Sequence, residues 1–129
     1  MSTDSSMEEE NDETGRLVYL NGPKDLEFRE YPVPSPDPHA VVTEVVRSNV
    51  CGSELHVWKG DNPWKDCVLG HEALCRVSEL GSKVKTDSAG TPIEVGDLVA
   101  PVYFQTCQSC DFCRRGEFYA CDNDYEHTG

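Results

Sequence analysis

The apolar positions of this chain fall in short runs, most of them too brief for helices. Residues 16–20, Arg-Leu-Val-Tyr-Leu, predict a strand that ends at Asn21-Gly22-Pro23. Leu26-Glu-Phe-Arg-Glu30 alternates apolar and polar side chains, the period of a strand with one wet face. Pro32, Pro34, Pro36 and Pro38 then impose an extended linker, because proline fixes φ and donates no backbone hydrogen bond. Residues 40–47, Ala-Val-Val-Thr-Glu-Val-Val-Arg, form the clearest strand, β-branched through most of their length. One or two helical turns are predicted over Ser53–Lys59 with Ser53 as the cap, and Gly60-Asp-Asn-Pro63 breaks them. Further along come a strand over 73–80, a polar hairpin over 84–92, a turn and strand over 93–100, and a helical turn near 112–116. Short strands at this spacing predict a mainly β fold, a small barrel or sandwich, with the last segment projecting as a lobe. No internal repeat is present.

Charge narrows the possible partners. The 129 residues carry 24 acidic and 11 basic side chains, a formal net charge of -13. Such a surface repels phosphate backbones and anionic lipids, which argues against nucleic-acid and membrane-surface binding. No apolar run approaches the roughly 18 residues of a membrane helix, and the acidic amino terminus does not look like a signal peptide. A cytoplasmic location follows as the expectation. Residues 1–15 hold six carboxylates and almost nothing to bury, so they are expected to form a disordered tail ahead of a domain over 16–129. The acidity suits a high-salt cytoplasm and an ordinary acidic cytosolic protein about equally. An apolar fraction of 37% predicts a thin core.

Four of the seven cysteines lie in the fifteen residues from Cys107 to Cys121, spaced C-x2-C-x2-C-x7-C. In a reducing compartment such a set is read as a metal site before it is read as disulfides. Two-residue gaps let Cys107, Cys110 and Cys113 curl around one ion, and the longer loop brings in Cys121. A tetrahedron filled by four thiolates leaves no place for substrate, so a zinc there would be structural. An iron–sulfur cluster and unconnected thiols are the alternatives, although a ferredoxin run more often closes as C-x3-C-P.

A thinner constellation precedes it. Cys51-Gly-Ser-Glu-Leu-His56 and Gly70-His71-Glu72 supply cysteine, histidine and carboxylate, the ligand types of a zinc site that keeps one position open. Alone, Cys51 reads as a small buried residue and His71 as an ordinary polar one. Taken in order, Cys-Gly-Ser-x-x-His, Gly-His-Glu, Gly-Asp-x-Val (residues 96–99) and the four-cysteine window resemble the medium-chain zinc-dependent alcohol dehydrogenase family, over roughly residues 16–129.

The resemblance implies a GroES-like partial β-barrel carrying a four-cysteine zinc lobe. It implies that Cys51 and His71 are catalytic-zinc ligands and that Glu72 is the carboxylate able to approach that zinc. Ser53 would be the hydroxyl that takes the alcohol proton and His56 the next group in the relay, while Cys107, Cys110, Cys113 and Cys121 would hold structural zinc. The substrate would be a small alcohol or carbonyl compound, and the oxidant NAD or NADP. Three departures stand out. Glu54 replaces the usual aspartate expected to orient the zinc histidine, Cys75 stands where the family has glycine, and Cys67 is extra, read as a small buried hydrophobe. The glycine-rich nucleotide-binding turn of a Rossmann domain is absent from these residues. Nicotinamide binding, and therefore turnover, is expected only with a missing nucleotide-binding domain; the alternative association is a homo-oligomer. A stand-alone structural zinc module without catalysis is the second reading. Trp58 and Trp64 are candidates for a substrate-pocket wall, with simple packing the alternative.

Overall fold

A computed structural model describes residues 12–103 and 106–122. The strands pair into two three-stranded antiparallel sheets. The first contains β1 (Thr14–Gly22), β2 (Asp25–Pro32) and β4 (Cys67–Val68) in the order β2-β1-β4. The second contains β3 (Val41–Ser48), β5 (Ala73–Leu80) and β6 (Leu98–Val99) in the order β3-β5-β6. Between β3 and β4 lies helix α1 (Gly52–Lys59); a single turn, α2 (Asp111–Arg114), and a 3-10 turn over Phe118–Ala120 complete the elements. The predicted mainly β architecture is present. Of the amino-terminal stretch expected to stay unfolded, Thr14 and Gly15 belong to β1, where they pair with Pro32 and Tyr31. Residues 1–11 fall outside the described residues.

The β3–β5 pairing does most to place the functional residues. Its register runs from Val41 opposite Leu80 to Ser48 opposite Ala73, with two irregularities. Between Val45 and Arg47, β3 carries one extra residue, Val46; between Val42 and Thr43 the extra residue is Ser78 of β5. Ser78 uses its displacement, donating its hydroxyl to the Val42 carbonyl at 2.9 Å.

The proline linker is held rather than free. Asp37 accepts from the Ala40 N–H at 2.9 Å, and Pro38 and Ala40 accept from the Lys83 and Gly81 N–H groups at 2.8 Å each. Gly81 is required at this crossing, since a Cβ would lie 2.1 Å from the Asp37 carbonyl oxygen and 2.6 Å from that of Pro38. The expected polar hairpin over 84–92 is present in reduced form, as one bridge between Thr86 and Pro92.

Among the described residues, the buried apolar ones are Leu20, Val57, Cys75, Val77, Cys113 and Cys121. Cys75 is 2% exposed and faces Val45 and Val99 across the second sheet, so the thiol that replaces the family's glycine is a core side chain. Cys67 is only half-buried on β4, contrary to the expectation of burial, because that strand is two residues long and pairs on one side with β1. Every residue of β2 is exposed, and Phe28 is 75% so. Its alternation produces a largely exposed apolar face, on which the Arg16 guanidinium lies 5.6 Å from the centre of the Phe28 ring.

Candidate metal centres

Antiparallel pairing explains why residues twenty positions apart meet. Ser48 at the end of β3 lies opposite Ala73 at the start of β5, so the segments just beyond them leave the sheet side by side. Cys51 follows β3 and His71-Glu72 precedes β5. The Asn49 N–H donates to the Glu72 carbonyl at 3.1 Å, extending the match past the strands. As a result the ligand atoms of Cys51, His71 and Glu72 all lie within 4.8 Å of one another. Cys51 and His71 are half-buried and Glu72 is exposed. Three protein donors of mixed type, one facing solvent, fit a zinc site with a position left open.

Helix α1 fixes Cys51 more firmly than its sequence suggests. The N-cap is Cys51, not Ser53, and the helix begins at Gly52. The reason is Glu54, whose Oε2 accepts from the Cys51 N–H at 3.1 Å and so ties the start of the helix back to the residue before it. Gly60 closes the other end in the left-handed region at φ 85°. Glu54 Oε1, the other carboxylate oxygen, approaches His71 Nδ1 at 3.3 Å. That approach falls short of hydrogen-bond geometry, and Oε1 is buried with no hydrogen-bond partner. A proton on Nδ1, with a small rotation of the ring, would satisfy both atoms and leave Nε2 bare for a metal. The extra methylene of Glu54 relative to aspartate therefore spans both candidate ligands.

The structure places Ser53 and His56, the two residues expected to relay protons, on helix α1. The Ser53 hydroxyl donates to Cys51 Sγ at 3.3 Å. His56, three residues along the same helix, is exposed, and its Nδ1 lies 2.9 Å from Asp61 Oδ2. No hydrogen bond joins Ser53 to His56 among the described residues. Two neighbours escaped the sequence reading. Asp61 reaches His56 because Gly60 turns the chain back at the helix end, and the Tyr103 ring lies 5.6 Å from that of His71 at 55°. Neither carries a sequence signal beyond the turn at Gly60. Trp58 is half-buried with Lys24 Nζ 5.8 Å from the centre of its ring, and Trp64 is 63% exposed.

The four-cysteine window forms the second cluster. Cys107, Cys110, Cys113 and Cys121 bring all four sulfurs within 4.8 Å of one another. A tetrahedron with arms of about 2.3 Å has edges of about 3.8 Å, and Cys107 Sγ lies 3.9 Å from Cys113 Sγ. Backbone N–H groups point at the sulfurs: Cys110 N–H to Cys107 Sγ at 3.3 Å, Cys113 N–H to Cys110 Sγ at 3.4 Å, and Cys107 N–H to Cys121 Sγ at 3.4 Å. Such donors stabilise thiolates. The backbone N–H of Cys113, with that of Asp122, holds Cys110 below the ordinary thiol range, whereas burial pushes Cys113 up to about 11. A metal must therefore displace the Cys113 proton to bind.

The sequence from residue 37 to residue 129 matches the family model of the alcohol dehydrogenase GroES-like domain. The chain belongs to this family. Among curated relatives, L-threonine 3-dehydrogenase of Pyrococcus abyssi is 34% identical over 103 residues, 75% of this chain and 28% of that protein. A zinc-type alcohol dehydrogenase-like protein of Schizosaccharomyces pombe is 32% identical over 84% of this chain and 25% of its own length. Alcohol dehydrogenase of Thermotoga maritima superposes with a TM-score of 0.72 at 27% identity, over 86% of this chain and 31% of that one. An alcohol dehydrogenase of Escherichia coli CFT073 complexed with NADH gives 0.70 at 29% identity, over 84% and 30%. The chain thus spans about a quarter to a third of the length of the relatives it matches. The resemblance seen in the motifs is a family membership, and the family is one of dehydrogenases. Among the described residues, no helix is long and apolar enough to cross a membrane.

Proposed function

We propose that this chain is the zinc-holding amino-terminal part of a zinc-dependent alcohol dehydrogenase, acting in the reducing cytoplasm on a small alcohol or carbonyl compound. The observation that carries this reading is the convergence of Cys51, His71 and Glu72 within 4.8 Å, from either side of the β3–β5 pair. In this reading Cys107, Cys110, Cys113 and Cys121 hold a structural zinc, and Cys51, His71 and Glu72 contribute to a catalytic one. Zinc at the open site supplies Lewis acidity, which eases the deprotonation of an alcohol. The remaining work belongs to side chains. Glu54 orients His71 and the Cys51 backbone. Ser53, with its hydroxyl beside Cys51 Sγ, receives the alcohol proton. His56, whose Nδ1 is engaged by Asp61, keeps Nε2 at the surface as the next acceptor, and the proton would cross from Ser53 to it through water, since no hydrogen bond joins the two side chains. Hydride transfer to NAD or NADP requires a nucleotide-binding domain supplied by sequence outside these 129 residues.

Metal analysis tests the reading. The purified chain should bind close to two zincs, one released at lower chelator concentration and lost in Cys51→Ala. A single zinc, unaffected by Cys51→Ala, would favour the stand-alone structural module instead. With NAD(P) and a panel of alcohols, turnover should require a carboxy-terminal partner chain; turnover by the 129 residues alone would refute that dependence.

A further inference from the structure

A recess is lined by none of the residues of either cysteine cluster. It has a volume of about 410 Å³ and is lined by His39, Val41, Lys83–Ser88 and Ile93. Its walls are held from two sides: the Asp37–Ala40 turn is hydrogen-bonded to Gly81 and Lys83, and Ile93 N–H donates to the Lys85 carbonyl at 3.3 Å. Half-buried Val41, Val84 and Ile93 supply an apolar floor, and the exposed rim is polar. Two of the chain's five lysines, Lys83 and Lys85, stand on that rim, in a protein of net charge -13. Carboxylates are abundant elsewhere, yet neither lysine forms an ion pair among the described residues. The rim's one carboxylate, Asp87, is turned to local use, with Oδ1 accepting from the Ala89 and Thr91 N–H groups at 2.9 Å each.

We propose that this recess binds a small organic carboxylate, its charged group between Lys83 and Lys85 and its apolar body on Val41, Val84 and Ile93. The recess falls within the size range of small-molecule sites. Two unpaired ammonium groups attract an anion, while the floor favours one with a hydrocarbon body over an inorganic ion. His39 and the hydroxyls of Thr86 and Ser88 add donors at the edge.

The test is a titration of the zinc-loaded 129-residue chain with benzoate at low ionic strength, followed by amide NMR. Saturable shifts at residues 39–41 and 83–93 are expected, with affinity falling roughly tenfold in the double variant Lys83→Gln/Lys85→Gln. Benzamide, which keeps the ring and loses the charge, should produce no saturable shift. Benzamide binding as well as benzoate would overturn the proposal, as would inorganic phosphate matching benzoate or the double variant keeping wild-type affinity. Shifts that never saturate would mean binding too weak to be a site, and would overturn it too. Both lysines are exposed, so the resonances outside the recess report directly whether the variant remains folded.

Discussion

Glu54 offers the most decisive perturbation, because one side chain serves both candidate ligands. Glu54→Gln preserves the shape but offers only one acceptor oxygen. If that oxygen stays on the Cys51 N–H, the new amide NH2 faces His71 Nδ1, and two donors oppose each other whenever Nδ1 carries its proton. If the amide flips, the NH2 meets the Cys51 N–H instead. Glu54 is 11% exposed, so water relieves neither arrangement well. An unsatisfied buried donor costs about 1–3 kcal/mol, and loss of a partner that orients a metal-binding histidine lowers metal affinity by about 10–100-fold. The two ranges overlap near 1.4–2.8 kcal/mol, since each tenfold in affinity is about 1.4 kcal/mol. Competition against a coloured zinc chelator should show the weaker of two zincs loosened by that factor. The zinc of the four-cysteine lobe serves as the internal control and should be unchanged. A loss below about twofold at the weaker site would remove Glu54 from the positioning role, and equal loosening of both zincs would point to general destabilisation.

Three further outcomes follow from the same geometry. Gly81→Ala sets a Cβ against two backbone carbonyl oxygens that cannot rotate away, and should lower stability by about 3 kcal/mol in urea denaturation; a change under about 0.5 kcal/mol would show that the proline linker moves freely. Leu20→Ala empties a fully buried position and should cost about 3 kcal/mol, whereas Phe28→Ala, which removes a largely exposed ring met by Arg16, should stay within about 1 kcal/mol; equal effects would mean that β2 is buried against a partner in solution. Zinc uptake by the lobe should release protons and weaken as pH falls, because each thiol must ionise to bind and burial has raised that of Cys113. Calorimetry in buffers of different ionisation enthalpy measures the release, and a binding constant independent of pH between 6 and 8 would contradict it.

Much of the candidate site was legible in the sequence because its signals are local. The C-x2-C-x2-C-x7-C spacing forces three thiols onto one tight turn, and the observed sulfur separations follow from that spacing with little help from the rest of the chain. The strands were legible for the same reason, since the β-branched run over residues 40–47 needs no distant partner to declare itself. Less was visible where the outcome depended on competition between neighbours. Ser53 looked like the helix cap, but Glu54 tied itself to the Cys51 N–H and moved the cap two residues earlier. Cys67 looked like a core residue, but its short strand left it half-buried, while Cys75 took a place in the core.

The sequence alone determined which residue types were available to bind metal, the β character of the chain, and the family to which those motifs belong. Tertiary structure decided which of those residues meet. Cys51 and His71 are twenty positions apart, and only the register of β3 against β5, set by Ser48 opposite Ala73 and by the bulge at Val46, sends both off the same end of the sheet. Register is a property of two strands together. A shift of one residue would reverse the faces of β5 and carry Cys75 and Val77 out of the core, so the burial of those two side chains is what holds the candidate catalytic ligands in place.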